Sequence, residues 1–245
     1  MPGSDSVTPI GLVRGIRLDR ERVPDFARYP FAIPAIAGLD ELELDPHVTC
    51  FVGENGSGKS TLLEAIAVAC RFNAEGGTKN FNFATRRSES ELHEYLRVVR
   101  SHRRTRDGFF LRAESLFNVA TEIERVGVGG YGDRSLHEQS HGESFLALML
   151  NRFGGDSLFL LDEPEAALSP MRQLALLSVM KQLVDEGSQF IIATHSPIVL
   201  AYPGARIYAL DGGLAPIAYD DIEHVRTTRD FLNHRGVFLD RLFAK

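Results

Sequence analysis

Short apolar runs recur along the chain, and each of them ends at a polar residue or a glycine. Residues 48–53 (VTCFVG), 158–161 (LFLL) and 190–193 (FIIA) are runs of this kind. Such runs, when polar residues bound them, are typical of buried strands in a parallel sheet. Residues 61–69 instead carry apolar side chains at the spacing of one helix face. The pattern predicts an α/β fold with a mixed, mainly parallel sheet.

The segments around these runs predict further elements. Apolar stretches in residues 10–46 are broken by prolines and a glycine, which predicts antiparallel strands and turns that flank the sheet. Residues 220–243 predict two terminal helices. In residues 71–106, nine Lys or Arg stand against four Glu, and the spacing of Leu92, Tyr95, Leu96 and Val99 predicts an amphipathic helix with a basic outer face. We expect one domain, residues 1–245, with a helical insert at about 71–150.

Composition narrows the class of protein. The chain has 245 residues, 44% of them hydrophobic, which is enough for a sizeable core. A formal charge of −6 argues against a surface that is basic throughout. Cys50 and Cys70 form no disulfide framework and are expected to be small buried side chains. No signal peptide and no apolar run of about 18 residues is present, so we expect a soluble cytosolic protein without a membrane span of its own.

The first candidate site is a glycine-rich loop between a predicted strand and a predicted helix. Residues 53–60 read GENGSGKS, which matches the phosphate-loop pattern GxxxxGK[ST] in its expected context. Glycines let backbone N–H groups turn around an anion, and the helix N-terminus adds its positive dipole end. Lys59 would reach the β- and γ-phosphates, Ser60 would ligate Mg²⁺, and Thr61 would bind the α-phosphate. The predicted nucleotide-binding residues are Gly53, Glu54, Asn55, Gly56, Ser57, Gly58, Lys59, Ser60 and Thr61.

Two acidic residues follow a second predicted strand. Asp162 and Glu163 end the apolar run at 158–161, so both should lie at the carboxyl edge of the sheet, where α/β proteins bind ligands. Asp162 is placed to hold Mg²⁺, and Glu163 to polarise the attacking water. His195 follows the strand predicted at 190–193 and should lie at the same edge, where it can bind a γ-phosphate.

A further helix begins near Gly142, and its N-terminus can receive an anion in the same way as the first helix. One nucleotide does not normally occupy two such helix ends in one small protein. The second end is therefore for another ligand, or for the nucleotide of another subunit. An ordinary helix capped by Ser140 or Ser144 is the alternative interpretation.

With these four elements in chain order, the sequence resembles the ABC-type ATPases. The matching segments are GENGSGKS (Walker A), QSHGE at 139–143 (signature), LFLLDE at 158–163 (Walker B), AALS at 166–169 (D-loop) and THS at 194–196 (switch histidine). Within that superfamily it looks most like the soluble ATPases of the "AAA domain" type, which are related to the SMC and OLD-like heads. The resemblance implies a P-loop NTPase fold with an antiparallel β flank and a small helical lobe.

The resemblance also implies that two protomers enclose two ATP molecules head to tail. Ser140 and Gly142 of one copy would complete the site that Lys59, Glu163 and His195 form in the other. Some positions depart from the family pattern. No glutamine lies between Thr61 and Glu138 to serve as the Q-loop residue, for which Asn80 or Asn82 could substitute. Tyr29 or Phe31 could stack on adenine, or pack in the core instead.

The sequence therefore predicts an Mg²⁺-dependent ATPase that alternates between an ATP-bound homodimer and monomers, and acts on an unknown protein partner. One alternative is the nucleotide-binding subunit of an ABC transporter. Another is a nucleic-acid-associated ATPase of repair or defence, which would bind through residues 86–106. A sensor that binds ATP without hydrolysing it is disfavoured, because both Asp162 and Glu163 are present.

Overall fold

The fold is known from a computed structural model, which describes residues 11–74, 76–77, 90–103, 105–112, 146 and 155–244. Ser140, Gly142, Asn80 and Asn82 lie outside the described residues, as does most of the insert predicted at 71–150. The extent of that insert stays a prediction.

A six-stranded sheet forms the centre of the molecule. Its strands are β3 (Val48–Val52), β5 (Asp107–Arg112), β6 (Ser157–Asp162), β7 (Gln189–Ala193), β8 (Arg206–Ala209) and β9 (Ala215–Pro216). They lie in the order β5-β6-β7-β3-β8-β9, and neighbouring strands are parallel except for the last pair, β8 and β9. The mixed, mainly parallel sheet expected from the apolar runs is confirmed.

The central strands are buried on both faces, which explains why they read as continuous apolar runs. Every residue of β3, β6 and β7 is buried. Alternate residues of β6 face opposite sides, so Phe159 packs in one hydrophobic cluster and Leu160 in the other. The Phe159 ring stacks on Phe190 with centroids 4.7 Å apart.

Helices cover the two faces of this sheet. The first face is covered by α2 (Lys59–Ala69) and the second by α3 (Pro170–Asp185), through buried residues such as Ile66 and Leu176. The remaining described helices are α1 (Pro34–Ala37), α4 (Pro197–Leu200), α5 (Glu223–Asn233) and α6 (Arg235–Phe243). Short 3₁₀ turns occur at Arg20–Arg22, Glu91–Tyr95, Pro164–Ala167 and Tyr219–Asp221. The two helices expected near the carboxyl end are confirmed.

A second sheet is antiparallel and consists of β1 (Val13–Leu18), β2 (Glu41–Glu43) and β4 (Leu96–Arg100). Its strand order is β2-β1-β4. Gln189, at the start of β7, connects the two sheets. The buried amide of Gln189 accepts from the Val13 N–H at 2.8 Å and donates to the Val13 carbonyl at 2.7 Å. The predicted antiparallel flank is thus confirmed.

The amphipathic helix predicted around Leu92 is wrong. Residues 91–95 form only a 3₁₀ turn, and the chain then continues as β4, which pairs with β1. The apolar residues at helical spacing also fit a strand edge, where pairing with β1 satisfies the backbone groups. Two of the described arginines of this segment are held in ion pairs. Arg97 is ion-paired with Asp19 at 2.6 Å, and Arg103 with Asp156.

Both cysteines are free and buried, as expected. Burial raises the pKa of the Cys50 thiol to about 12, so this side chain stays protonated and packs as an apolar group. In the part of the chain that the structure describes, no helix combines the length and the apolar character that crossing a membrane requires.

Candidate functional site

The loop that follows β3 turns back on itself before α2 begins at Lys59. Gly58 has a φ of 100° in the left-handed region, and a Cβ there would lie 2.8 Å from Cγ2 of Ile33. A Cβ on Gly53 would lie 2.7 Å from Oγ of Ser57. Only glycine fits either position without displacing a neighbour. Gly53 and Gly58 are therefore required by the loop itself as well as by any bound phosphate.

Lys59 is the first residue of α2, and its buried side chain reaches back into this loop. Its Nζ donates to the carbonyl of Gly53 at 2.8 Å and to that of Glu54 at 3.0 Å. Burial lowers the pKa of Lys59, and the negative charges of Glu163 and Asp211 oppose that shift. The ammonium group is thus held by backbone oxygens that phosphate oxygens can replace, which suits a lysine that binds phosphates.

Ser60 and Asp162 come together as the sequence predicts. The Ser60 hydroxyl donates to Oδ1 of Asp162 at 2.9 Å, across 102 residues of chain. A hydroxyl beside a carboxylate at the start of a helix is a donor set that suits Mg²⁺ bound to a nucleotide. Oγ of Ser57 is buried and has no hydrogen-bond partner among the described residues, so the loop also has a hydroxyl available for a phosphate. The residues present fit an Mg²⁺–ATP ligand.

Glu163 and His195 also meet at this edge of the sheet. Glu163 directly follows β6, and its φ of 47° and ψ of 53° are left-handed, which is uncommon for a residue with a side chain. Its N–H donates to the carbonyl of Ala193 at 2.8 Å, so the conformation is fixed by the neighbouring strand. Oε1 of Glu163 lies 3.8 Å from Nε2 of His195, an atom with no hydrogen-bond partner in the described part of the chain.

Sequence reasoning missed the carboxylate that holds the segment after β7. Oε1 of Glu165 accepts the His195 N–H at 2.6 Å, and Oε2 accepts the hydroxyl of Thr194 at 2.7 Å. Ser196 then caps α4 through its Oγ, which accepts from Ile198 and Val199. Glu165 stands two residues after Glu163 in the segment DEPEAAL, and this spacing was the available signal.

Asp211 and His224 are two further residues with no motif to mark them. Oδ1 of Asp211 accepts the Glu54 N–H at 2.7 Å and so anchors the start of the phosphate loop. His224, on α5, has its ring centroid 6.0 Å from that of His195. Burial and the charge of His195 lower the pKa of His224. Both residues line a cleft of about 1040 Å³ together with Asn55, Glu163 and His195.

The two aromatic residues considered for adenine differ in position. Phe31 is fully buried and packs edge-on against Tyr95 at 5.0 Å, so it belongs to the core. Tyr29 is 64% exposed, and its hydroxyl lies 3.4 Å from Oγ1 of Thr61 in the first turn of α2. Of the two, only Tyr29 is accessible beside the phosphate loop.

The chain matches known families and proteins over the segments that carry these motifs. Residues 35–140 match a family described as "AAA domain", and residues 99–201 match a second family described as "AAA domain, putative AbiEii toxin, Type IV TA system". The manganese transport system ATP-binding protein MntA of Synechocystis is 30% identical over 169 residues, which cover 60% of this chain and 64% of that protein. The energy-coupling factor transporter ATP-binding protein EcfA1 of Fusobacterium nucleatum is 27% identical over 166 residues, which cover 60% and 62%.

The matched parts thus span less than two thirds of either relative's length. Among solved structures, cbiO1 of Clostridium perfringens, part of the ABC transporter complex cbiONQ, is 16% identical over 82% of this chain and 90% of that chain, with a TM-score of 0.47. The motifs, their meeting at one sheet edge and the sequence matches agree: over residues 35–201 the chain is similar to AAA-domain families and to transport ATP-binding proteins.

Proposed function

We propose that the protein binds Mg²⁺–ATP at the carboxyl edge of the central sheet and hydrolyses it. The observation that carries this proposal is the Ser60–Asp162 contact at 2.9 Å, with Glu163 and His195 beside it. A phosphate loop, a metal carboxylate and a candidate base are then all within one site, which is what phosphoryl transfer to water requires.

Each residue has a distinct role in this proposal. Lys59 exchanges its two backbone acceptors for phosphate oxygens and stabilises their charge. Magnesium, when bound, would neutralise charge on the β- and γ-phosphates. Ser60 and Asp162 would hold it. Glu163 is 42% exposed at its side chain and faces the cleft, so it can accept a hydrogen bond from the attacking water, while His195 can donate to the γ-phosphate.

The proposal includes an ATP-dependent homodimer. The resemblance to ABC-type ATPases supports a head-to-tail pair in which Ser140 and Gly142 of the second copy complete the γ-phosphate site. Both residues lie outside the described part of the chain, so this is argued from the QSHGE motif and the resemblance it carries.

Replacement of Glu163 by Gln tests the hydrolysis step. Glu163→Gln keeps the shape of the side chain but loses the negative charge that polarises water. We expect ATP binding to persist, turnover to fall at least about 100-fold, and an ATP-bound dimer to accumulate. Glu21→Gln, a change at an exposed glutamate in the 3₁₀ turn Arg20–Arg22, is the control and should leave turnover unchanged. Unchanged hydrolysis in Glu163→Gln would remove this residue from the proposed role.

A second candidate function is the ATP-binding subunit of a transporter. It is favoured by the similarity to MntA and EcfA1, both of which are named as transport ATP-binding proteins. Recovery of the tagged protein with a membrane-embedded subunit after detergent extraction would support it. Recovery in the soluble fraction alone, with full ATPase activity, would favour the stand-alone ATPase.

A further inference from the structure

Arg112 lies beside the candidate metal carboxylate, although no motif marks it. It is the last residue of β5 and pairs in register with Asp162, the last residue of the parallel strand β6. Its Nε lies 3.7 Å from Oδ2 of Asp162, and its Nη1 donates to Oε2 of Glu64 at 2.8 Å. The guanidinium therefore connects two carboxylates at the edge of the nucleotide site.

The second carboxylate belongs to the same helix as the phosphate-binding residues. Glu64 is on α2, one turn after Ser60, and its Oε1 accepts the Ser90 N–H at 3.1 Å. The side chains of Glu64 and Asp162 are each only 9% exposed, and that of Arg112 is 26% exposed. Removing one member of such a group leaves a charge in a poorly solvated place, so each side chain is held by the others.

The two oxygens of Asp162 thus have different partners. Oδ1 accepts the hydroxyl of Ser60, while Oδ2 faces Arg112. Rotation of the carboxylate would break both contacts at once. A guanidinium suits this position because it stays protonated and presents several N–H groups in one plane, and because it cannot itself become a metal ligand.

We propose that Arg112 is a positioning residue for the metal site: anchored by Glu64, it fixes the Asp162 carboxylate in the orientation that receives Mg²⁺ beside Ser60. The inference rests on the proposed function, since it assigns Asp162 to the magnesium ion. It adds a residue that acts through Asp162 and touches neither the metal nor the nucleotide. Groups that orient metal ligands in this way typically contribute tenfold or more to metal affinity.

Arg112→Met removes the cation while keeping much of the apolar bulk. The measurement is metal binding, not turnover: Mn²⁺, used as a probe for Mg²⁺, is titrated into the full chain with saturating ATP and followed by electron paramagnetic resonance. The protein with Arg112 intact and the Arg112→Met protein both carry Glu163→Gln, so that ATP is not consumed during the titration. We expect Arg112→Met to raise the Mn²⁺ concentration for half-saturation about tenfold, with less than a twofold change in metal-free ATP affinity.

Two controls distinguish an effect on the orientation of Asp162 from a general loss of stability. Arg103→Met removes a comparably half-buried arginine whose partner Asp156 precedes the other end of β6, and it should leave the Mn²⁺ titration unchanged. Arg112→Lys keeps the positive charge but not the planar fork, and should restore part of the affinity. If Arg112→Met does not fold, Arg112→Met combined with Glu64→Gln removes both charges of the buried pair and replaces it in the titration.

The outcomes are distinct. If a folded Arg112→Met protein reached half-saturation at the same Mn²⁺ concentration as the protein with Arg112, the inference would be overturned, because the arginine would then only stabilise the fold. Tighter metal binding would also overturn it, since Arg112 would then be a competitor of the metal for Asp162. If the Glu163→Gln protein with Arg112 intact bound no metal with ATP, the proposed function itself would fail. A higher Mn²⁺ concentration for half-saturation in Arg112→Met, together with partial recovery of the affinity in Arg112→Lys, would support the inference.

Discussion

The three acidic side chains at the carboxyl edge of the central sheet differ in the contacts that hold them. Asp162 contacts Ser60 and Arg112, and Glu165 accepts two hydrogen bonds from the segment after β7. Among the described residues, the Glu163 carboxylate accepts no hydrogen bond; it lies 3.8 Å from Nε2 of His195, and its side chain is 42% exposed. A carboxylate that is fixed suits a structural or metal role, whereas one that faces a cleft can accept a hydrogen bond from water. This contrast is the physical basis for assigning different roles to the three residues.

His224 gives a prediction about pH. Burial lowers its pKa below the ordinary value of 6.5, so the unfolded chain binds a proton more readily than the folded protein does. The free energy of unfolding should therefore fall as the pH drops below about 6.5. His224→Asn removes this contribution, so its stability should depend less on pH in that range. Urea unfolding at a series of pH values measures the difference.

The control for this prediction is His234→Asn. His234 is exposed between α5 and α6, so its replacement should leave the pH dependence of wild type. If His224→Asn and wild type lost the same stability on acidification, burial of His224 would not contribute to the pH dependence.

At the scale of elements, the site is made by the ends of strands. β3, β6 and β7 run parallel, so the residues that follow them meet at one edge even though they are far apart in the chain. The apolar runs predicted these strands because burial on both faces leaves no alternation of polar residues. The same reasoning failed at β4, where apolar spacing suited a helix and pairing with β1 decided for a strand.

The phosphate loop and the start of α2 both depend on the backbone conformation of Gly58. Gly58→Ala puts a Cβ 2.8 Å from Ile33 and strains a residue with a φ of 100°. We expect a loss of about 1–2 kcal/mol in the free energy of unfolding. We also expect at least a tenfold loss of ATP affinity, because the backbone N–H groups no longer converge on the phosphates. Calorimetry of unfolding and of nucleotide binding measures the two effects.

Gly213→Ala is the matched control for the loop. A Cβ at Gly213 meets no atom within 4 Å, so this change should alter neither quantity. Wild-type ATP affinity in Gly58→Ala would contradict the assignment of this loop to phosphate binding.

At the scale of the whole molecule, the described residues form a cleft beside the phosphate loop. Its lining comes from the loop, the strand ends and α5, and it includes Asn55, Glu163 and His224. The proposed dimer would cover this cleft with the QSHGE segment of a second copy. Closure would exclude water from the γ-phosphate and bring a second helix N-terminus to its charge.

Ser140→Arg tests the closure. A long cationic side chain at this position should prevent the QSHGE segment from closing on the γ-phosphate site of the second copy. We expect ATP affinity within about twofold of wild type, loss of turnover, and no ATP-dependent dimer. Light scattering with ATP in the Glu163→Gln background measures the dimer. Normal turnover in Ser140→Arg would mean that the site is complete within one chain.

The sequence by itself determined the elements and motifs that local chemistry specifies. The runs at β3, β6 and β7 require burial, and the loop at 53–60 requires glycines and a lysine before a helix, so both were predictable from residue type and spacing. Lys59, Ser60, Asp162, Glu163 and His195 were all predicted in this way, and the structure brings them to one edge.

Only the tertiary structure decided which residues surround that edge. Arg112, Glu64 and His224 lie on elements with no recognisable motif, and they meet the site through sheet order and helix packing. The strand at 96–100 was decided in the same way, by its pairing with β1. Contacts between distant segments leave no periodic mark on either segment, and for that reason spacing along the chain could not reveal them.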